Sequence, residues 1–200
     1  MIVYDIGANI GYHTNAFAKF AKHVYAFEPN ELNYKLLEMN TFHDKNVTLF
    51  DYAISNDIGI TQIEKFELGK PGNYGECKLT EDGQLCDMTY IDYLVRTGNI
   101  QPPHVIKIDV EGHEYPVFQG MSETIKNHLP VIFYEAHHCD TASIYDIPTF
   151  SCMYSDDSIL LNRLSQAFVK IQNTLHWNSH FTNYSQKSFL GEFYKLINNK

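Results

Sequence analysis

The segment VYDIGANIGYHT (residues 3–14) combines an acid with two glycines directly before a stretch of helical spacing. Gly7 and Gly11 carry no side chain, so the backbone can turn there and a flat ligand can approach closely. Asp5 places a carboxylate beside the same turn. A negative charge at this point favours a cationic ligand, and the segment is therefore predicted to be a ligand-binding loop.

Two common phosphate-binding loops do not fit this segment. A P-loop needs a lysine after its last glycine, and Tyr12 and His13 follow Gly11 instead, which excludes a nucleoside triphosphate. A dinucleotide fingerprint needs a third glycine, and the carboxylate of Asp5 would repel a pyrophosphate. A nicotinamide-dependent oxidoreductase or epimerase, which would also need a Tyr-x-x-x-Lys pair on a suitable helix, is kept as one alternative. A non-catalytic adenosine-binding module is the other.

S-adenosylmethionine meets the requirement for a cationic ligand, because it carries an ammonium group and a sulfonium group. Its ribose hydroxyls need an acceptor, and an acid at the end of a second strand can accept two hydrogen bonds from them. Glu28 follows Gly11 by 17 residues, which is the length of a helix plus a strand. We therefore expect Glu28 to lie beside the glycine loop and to bind the ribose.

A second group of acids and histidines follows the fourth and fifth predicted strands, where it could remove a proton from an acceptor hydroxyl. A positioned base contributes about a hundredfold to ten-thousandfold to such a step, and histidine is the usual base near pH 7. The candidates are Asp109, Glu111, His113, Glu135, His137 and His138. Alternatively, Asp109, Glu135 and His137 hold a magnesium or manganese ion that acidifies the hydroxyl.

Alternating strands and helices must bring these two groups together. Short apolar runs predict strands at residues 2–6, 23–27, 47–54, 105–110 and 129–135. Helical spacing predicts helices at 13–22, after the capping residue Asn30, and at 113–121. This alternation predicts an α/β fold with a parallel sheet, helices on both faces and the ligand at the carboxyl ends of the strands.

The remaining segments are less regular. Residues 60–68 alternate like a hairpin arm, and residues 69–83 are rich in Gly, Pro and Asn, which predicts a loop. Ser, Thr, Asp and Tyr prevail from 140 to 157, which predicts a lid or a connection over the active face. A helix at 158–167 and a closing antiparallel pair at 167–175 and 189–197 are predicted after it.

Composition narrows the class of protein. The chain has 200 residues, of which 44% are hydrophobic, and this suffices for a single domain spanning 1–200. A net charge of −9 without any basic run argues against nucleic acid as a partner. The four cysteines lack metal-binding spacing, and no apolar segment suggests a membrane span or a signal peptide. We expect a cytoplasmic protein, and a strand that starts at residue 2 predicts a domain excised from a longer chain.

Four blocks of the sequence, taken in order, resemble the FkbM family of S-adenosylmethionine-dependent methyltransferases: DIGANIGYHT, YAFEPN, IKIDVEGHEYPVFQGM and PVIFYEAHH. The resemblance runs from about residue 2 to about residue 138. It implies a Rossmann-like class I methyltransferase sheet of seven strands, the last antiparallel, and methyl transfer to an oxygen. It also implies that the cofactor contacts Asp5, Gly7, Asn9, Gly11, His13, Glu28, Pro29, Asn30, Asp51, Ala53, Ile54 and Asp109.

These cofactor residues divide by the part of S-adenosylmethionine that the resemblance assigns to them. The glycine loop would line the methionine part and Glu28 the ribose. Pro29 and Asn30 would shape the adenosine wall, and Asp51, Ala53 and Ile54 would lie at the adenine.

The acceptor is expected to be a small molecule or a glycan, and a deoxyhexose such as rhamnose is the preferred interpretation. Aromatic rings stack on sugar faces, and Trp177 and Tyr184 lie among polar residues near the end of the chain. The sequence also resembles the methyltransferase part of a multi-domain glycan-building protein of a large DNA virus. That resemblance implies glycosyltransferase domains in the same parent chain and, for a virus, the host cytoplasm.

Overall fold

The computed structural model describes residues 1–66, 80–81, 83–135 and 149–152, with the backbone alone at 135 and 149–152. The strands in these ranges are β1 (Ile2–Ile6), β2 (His23–Phe27), β3 (Val47–Phe50), β4 (Ala53–Ile54), β5 (Gly59–Ile63), β6 (Gln84–Thr89), β7 (Val105–Ile108), β8 (Val131–Glu135) and β9 (Thr149–Cys152). The helices are α1 (Tyr12–Ala18), α2 (Glu31–Thr41), α3 (Ile91–Arg96), α4 (Glu114–Gln119) and α5 (Ser122–His128).

The larger of the two sheets holds six parallel strands in the order β3-β2-β1-β7-β8-β9. The chain builds outward from β1, first to β2 and β3 and later to β7, β8 and β9. The strand order therefore switches between β1 and β7, where the carboxyl ends of parallel strands open a crevice for ligands. The predicted α/β class with a mostly parallel sheet is confirmed.

Side chains alternate between the two faces of β1, so this strand contributes to two hydrophobic cores. Tyr4 and Ile6 pack in the larger core, and Val3 packs in a smaller core on the opposite face. Asp5 follows the same alternation and lies on the face of Val3. Because every residue of β1 is buried, the carboxylate of Asp5 has to find its partners inside the protein.

Helix α2 begins at the capping residue Asn30, as predicted. The side-chain oxygen of Asn30 accepts hydrogen bonds from the backbone nitrogens of Leu32 at 3.0 Å and Asn33 at 3.2 Å, which satisfies two N–H groups of the first turn. Its side-chain nitrogen donates to the carbonyl oxygen of Glu64 at 2.9 Å. These bonds fix the end of β2, where Glu28 lies.

The prediction of one third strand over 47–54 is wrong. β3 ends at Phe50, and β4 belongs to a second sheet with the order β4-β6-β5, in which β5 runs antiparallel to β6. The predicted hairpin arm at 60–68 corresponds to β5, which ends at Ile63. An apolar run predicts that a strand is buried, but it does not identify the strand with which it pairs. The apolar pattern of residues 47–54 therefore does not show that the chain passes from one sheet to the other at residues 51–52.

Three further elements were not predicted, namely β6, α3 and α5. The two helices are 6 and 7 residues long, so each shows fewer than two periods of the helical pattern. The helix predicted at 113–121 is α4, which ends at Gln119, and α5 begins at Ser122. Local patterns of this length do not separate two short helices from one longer helix.

The lid predicted over 140–157 is wrong in part, because residues 149–152 form β9, which pairs in parallel with β8. Four residues are too few for an alternating pattern to stand out. The helix predicted at 158–167 and the antiparallel pair predicted at 167–175 and 189–197 lie outside the described residues, as does the expected seventh strand. In the part of the chain that the structure describes, no helix has the length and apolarity needed to cross a membrane.

Candidate active site

A cleft opens at the switch between β1 and β7. Its volume is about 670 Å³, counted with the opening to solvent. Residues from the ends of β1, β2, β4, β5 and β7 line it: Ile6, Gly7, Asn9, Phe27, Glu28, Pro29, Asn33, Tyr52, Ala53, Ile54, Ile63, Asp109, Val110, Glu111 and His113. Members of both predicted residue groups thus line one cavity.

The backbone conformation of the glycine loop favours glycine at positions 7 and 11. Gly7 and Gly11 have φ values of 78° and 90°, and Asn9 has a φ of 51°, a region that side chains other than asparagine and aspartate rarely adopt. A Cβ atom at Gly7 would lie 1.8 Å from the carbonyl oxygen of Asp109, and one at Gly11 would lie 2.7 Å from Leu37. Gly7 therefore lets the loop touch the end of β7.

Glu28 connects the glycine loop to the end of β2. Its Oε2 accepts a hydrogen bond from the backbone nitrogen of Asn9 at 2.8 Å, and its Oε1 accepts one from Asn30 at 2.9 Å. Burial raises the pKa of Glu28 to about 7, although the two backbone hydrogen bonds lower it. Each carboxylate oxygen retains a second lone pair, so Glu28 can hold the loop and still accept a hydroxyl from the cleft.

A buried charge cluster lies between β1 and β7. The ammonium of Lys107 lies 3.1 Å from Oδ1 of Asp5 and 3.4 Å from Oδ2 of Asp109, and it donates a hydrogen bond to the carbonyl oxygen of Gly7 at 2.9 Å. The hydroxyl of Thr14 donates to Oδ2 of Asp5 at 2.7 Å. Burial alone lowers the pKa of Lys107, but the two carboxylates outweigh it, so the pKa is raised and the ammonium stays charged.

His113 lies at the edge of the cleft, directly before α4. Its Nε2 is 2.9 Å from the hydroxyl oxygen of Ser55, and the imidazole tautomer decides which of the two donates. Burial lowers the pKa of His113, while Glu114 raises it. The net pKa is below the usual value, so the ring is neutral near pH 7 and able to accept a proton.

Comparison of the sequence with known protein families identifies the family of this chain. Residues 5–149 match the family model described as the methyltransferase FkbM domain. This chain belongs to the FkbM methyltransferase family. The family is described as one of methyltransferases, and it implies S-adenosylmethionine as the cofactor.

One curated FkbM-like relative is the hexuronic acid methyltransferase AglP of Haloferax volcanii, which is 30% identical over 128 residues. The match covers 63% of this chain and 52% of AglP, so the chain spans about half the length of that relative. A crystal structure of methyltransferase FkbM from Methylobacillus flagellatus KT aligns with a TM-score of 0.45 at 20% identity, and it covers 64% of this chain and 30% of that one.

Several residues predicted for the cofactor site of this FkbM-family chain line the cleft: Gly7, Asn9, Glu28, Pro29, Ala53, Ile54 and Asp109. Others do not. Asp5 and Asn30 are fully buried, Gly11 packs against Leu37, and the ring of His13 stacks on Phe17. The side chain of Asp51 is exposed and does not line the cleft, whereas its neighbour Tyr52 does.

Of the predicted acid–base residues, Asp109, Glu111 and His113 line the same cleft. Glu111 has a φ of 53°, which marks a tight turn after β7. Glu135 ends β8, and its side chain lies outside the description, as do His137 and His138. Within the described ranges, no group of three or more His, Cys, Asp or Glu residues is placed to hold a metal ion.

Sequence reasoning missed Lys107, Thr14, Ser55 and Tyr52. The sequence could have indicated Lys107, because this lysine interrupts the apolar strand Val-Ile-Lys-Ile and a buried lysine needs a partner. The sequence does not indicate a role for Ser55, because its contact with His113 joins residues 58 positions apart.

Proposed function

We propose that this chain is an S-adenosylmethionine-dependent O-methyltransferase that methylates a hydroxyl of a sugar or a glycan. Membership of the FkbM family supports methyl transfer, and the substrate named for AglP supports a sugar acceptor. One observation carries the proposal: a single cleft at the sheet switch joins the glycine loop and Glu28 with Asp109, Glu111 and His113.

The described residues suit the cofactor. S-adenosylmethionine, when bound, supplies the methyl group as an electrophile. Gly7 and Asn9 would face its methionine end, and the absence of a side chain at Gly7 lets the loop lie against Asp109 there. Glu28 would accept hydrogen bonds from the ribose hydroxyls. Ala53 and Ile54 would offer the adenine an apolar surface.

The remaining contribution of the protein is to align the acceptor and to remove its proton. His113 is the proposed base, because burial keeps its imidazole neutral and Ser55 holds the ring at the cleft. Asp109 and Glu111 would bind the acceptor hydroxyl and stabilise the protonated imidazole. Glu135, His137 and His138 remain further candidates for the base.

A divalent ion remains a separate proposal, in which Asp109, Glu135 and His137 would hold magnesium or manganese. Lys107 already supplies a positive charge to Asp109 at 3.4 Å. An ion would therefore have to bind the carboxylate of Asp109 on the side away from Lys107.

The charge of the cleft favours a neutral acceptor. The described lining residues include Glu28, Asp109 and Glu111 but no lysine or arginine. Glu28 and Asp109 are partly balanced, by the raised pKa of Glu28 and by Lys107, but the described lining offers no cation to the carboxylate of a hexuronic acid, and a neutral deoxyhexose such as rhamnose needs none. We therefore favour a neutral sugar, although AglP is named for a hexuronic acid.

The proposal is tested with S-adenosylmethionine carrying a labelled methyl group and a panel of rhamnosides, glucosides and glucuronides. Label is expected in a neutral glycoside, with His113→Gln lowering kcat about a hundredfold or more while the Kd for the cofactor changes less. Glu38→Gln, an exposed change on α2, is the control. Label only in glucuronides would refute the neutral acceptor, and label in no glycoside of the panel would refute the sugar acceptor.

A further inference from the structure

One cationic side chain lies inside the apolar strand β7. Lys107 is 8% exposed and is paired in register with Asp5 of β1. Its ammonium contacts Asp5 at 3.1 Å, Asp109 at 3.4 Å and the carbonyl oxygen of Gly7 at 2.9 Å. A single buried charge thus joins the carboxyl ends of the two strands at the switch point.

Stability alone does not explain a lysine at this position. Removing two charges from water is costly, and replacing a buried ion pair by well-packed apolar residues is often neutral or stabilising. An apolar pair at positions 5 and 107 would simply extend the smaller core, in which Val3 and Val105 already pack. The lysine therefore has a use other than stability.

The contacts of Lys107 indicate that use. Two of its three partners, Gly7 and Asp109, line the cleft, whereas Asp5 is fully buried. Gly7 and Asp109 are also in direct backbone contact, since a Cβ at Gly7 would lie 1.8 Å from the carbonyl oxygen of Asp109. The ammonium therefore contacts both lining residues at once.

We propose that Lys107 is a positioning residue of the cofactor site, an inference that rests on the function proposed above. Its ammonium orients the Gly7 carbonyl and the Asp109 carboxylate toward the methionine end of the cofactor.

The test compares Asp5→Asn with the double variant Asp5→Asn/Lys107→Met in the full chain. Asp5 does not reach the cleft, so the double variant removes the buried ion pair without leaving Asp5 as an unpaired charge. The free energy of unfolding is measured in urea, and the Kd for S-adenosylmethionine is measured by calorimetry. We expect similar unfolding free energies and a Kd about tenfold or more higher in the double variant, the size of one charge-assisted hydrogen bond.

Lys126→Met is the control, because it makes the same chemical change on an exposed lysine of α5, and it should alter neither quantity. Equal Kd values in Asp5→Asn and the double variant would overturn the proposal, since Lys107 would then only balance Asp5. If the double variant does not fold, Lys107→Arg decides, with a raised Kd supporting the proposal and an unchanged Kd overturning it. A parent chain that does not bind S-adenosylmethionine would instead refute the proposed function.

Discussion

Individual side chains of this cleft have both a structural and a chemical role. Glu28 illustrates this, because the carboxylate proposed to bind ribose also accepts the backbone N–H groups of Asn9 and Asn30. Its position after β2 and its acid type were sufficient to predict a place in the cleft. Its bonds to the glycine loop were not predictable, because they depend on the positive φ of Asn9.

The raised pKa of Glu28 predicts a dependence of stability on pH. Its pKa is about 7 in the folded protein against 4.5 ordinarily, so between these values the folded state binds more protons than the unfolded state. The contribution of Glu28 to the unfolding free energy is present below about pH 4.5 and is lost as pH rises to about 7, by about 3 kcal/mol.

The substitution Glu28→Gln removes the carboxyl group whose protonation causes this pH dependence. Urea unfolding at pH 5 and pH 7.5 should show the variant gaining stability relative to the parent as pH rises, whereas the exposed Glu38→Gln should show no such gain. A constant difference between Glu28→Gln and the parent across this range would contradict the pKa assignment.

Among the elements, the glycine loop depends most directly on its sequence. The two glycines predicted a turn and the close approach of a ligand, whereas at Gly7 the structure shows the close approach of a neighbouring backbone. The neighbour was not predictable, since it is the carbonyl oxygen of Asp109, 102 positions further along the chain. The same limit applies to β4 and β6, whose pairing in a second sheet depends on partners distant in sequence rather than on their own patterns.

Gly7→Ala tests whether the approach of the loop to β7 is as close as described. Gly98 provides a matched control, because its φ of 77° resembles the 78° of Gly7 but a Cβ there would meet nothing within 4 Å. Gly98→Ala should cost about 1 kcal/mol of unfolding free energy for the backbone conformation alone. Gly7→Ala should cost about 3 kcal/mol or more, because the clash with Asp109 is added. Equal costs in urea unfolding would show that the two backbones are not in contact.

At the scale of the whole chain, the sequence is acidic and belongs to the FkbM family, and the described residues form an α/β fold with a cleft at the sheet switch. Fold class followed from the alternation of strands and helices, and family followed from the order of four sequence blocks, each of which overlaps one strand of the larger sheet. Acceptor identity did not follow in the same way, because Trp177, Tyr184, His137 and His138 lie outside the described residues. Glycosyltransferase domains in a longer parent chain stay a prediction.

Calorimetric titration of the purified chain with S-adenosylmethionine and, separately, with NAD tests the central claim most directly. Because the loop has two glycines, an adjacent buried acid and Glu28 at the cleft, the chain should bind S-adenosylmethionine and not NAD. Glu28→Ala should weaken that binding about tenfold or more, as expected for a lost hydrogen bond to a charged group. No heat of binding from S-adenosylmethionine, or tighter binding of NAD, would contradict the assignment of the cleft.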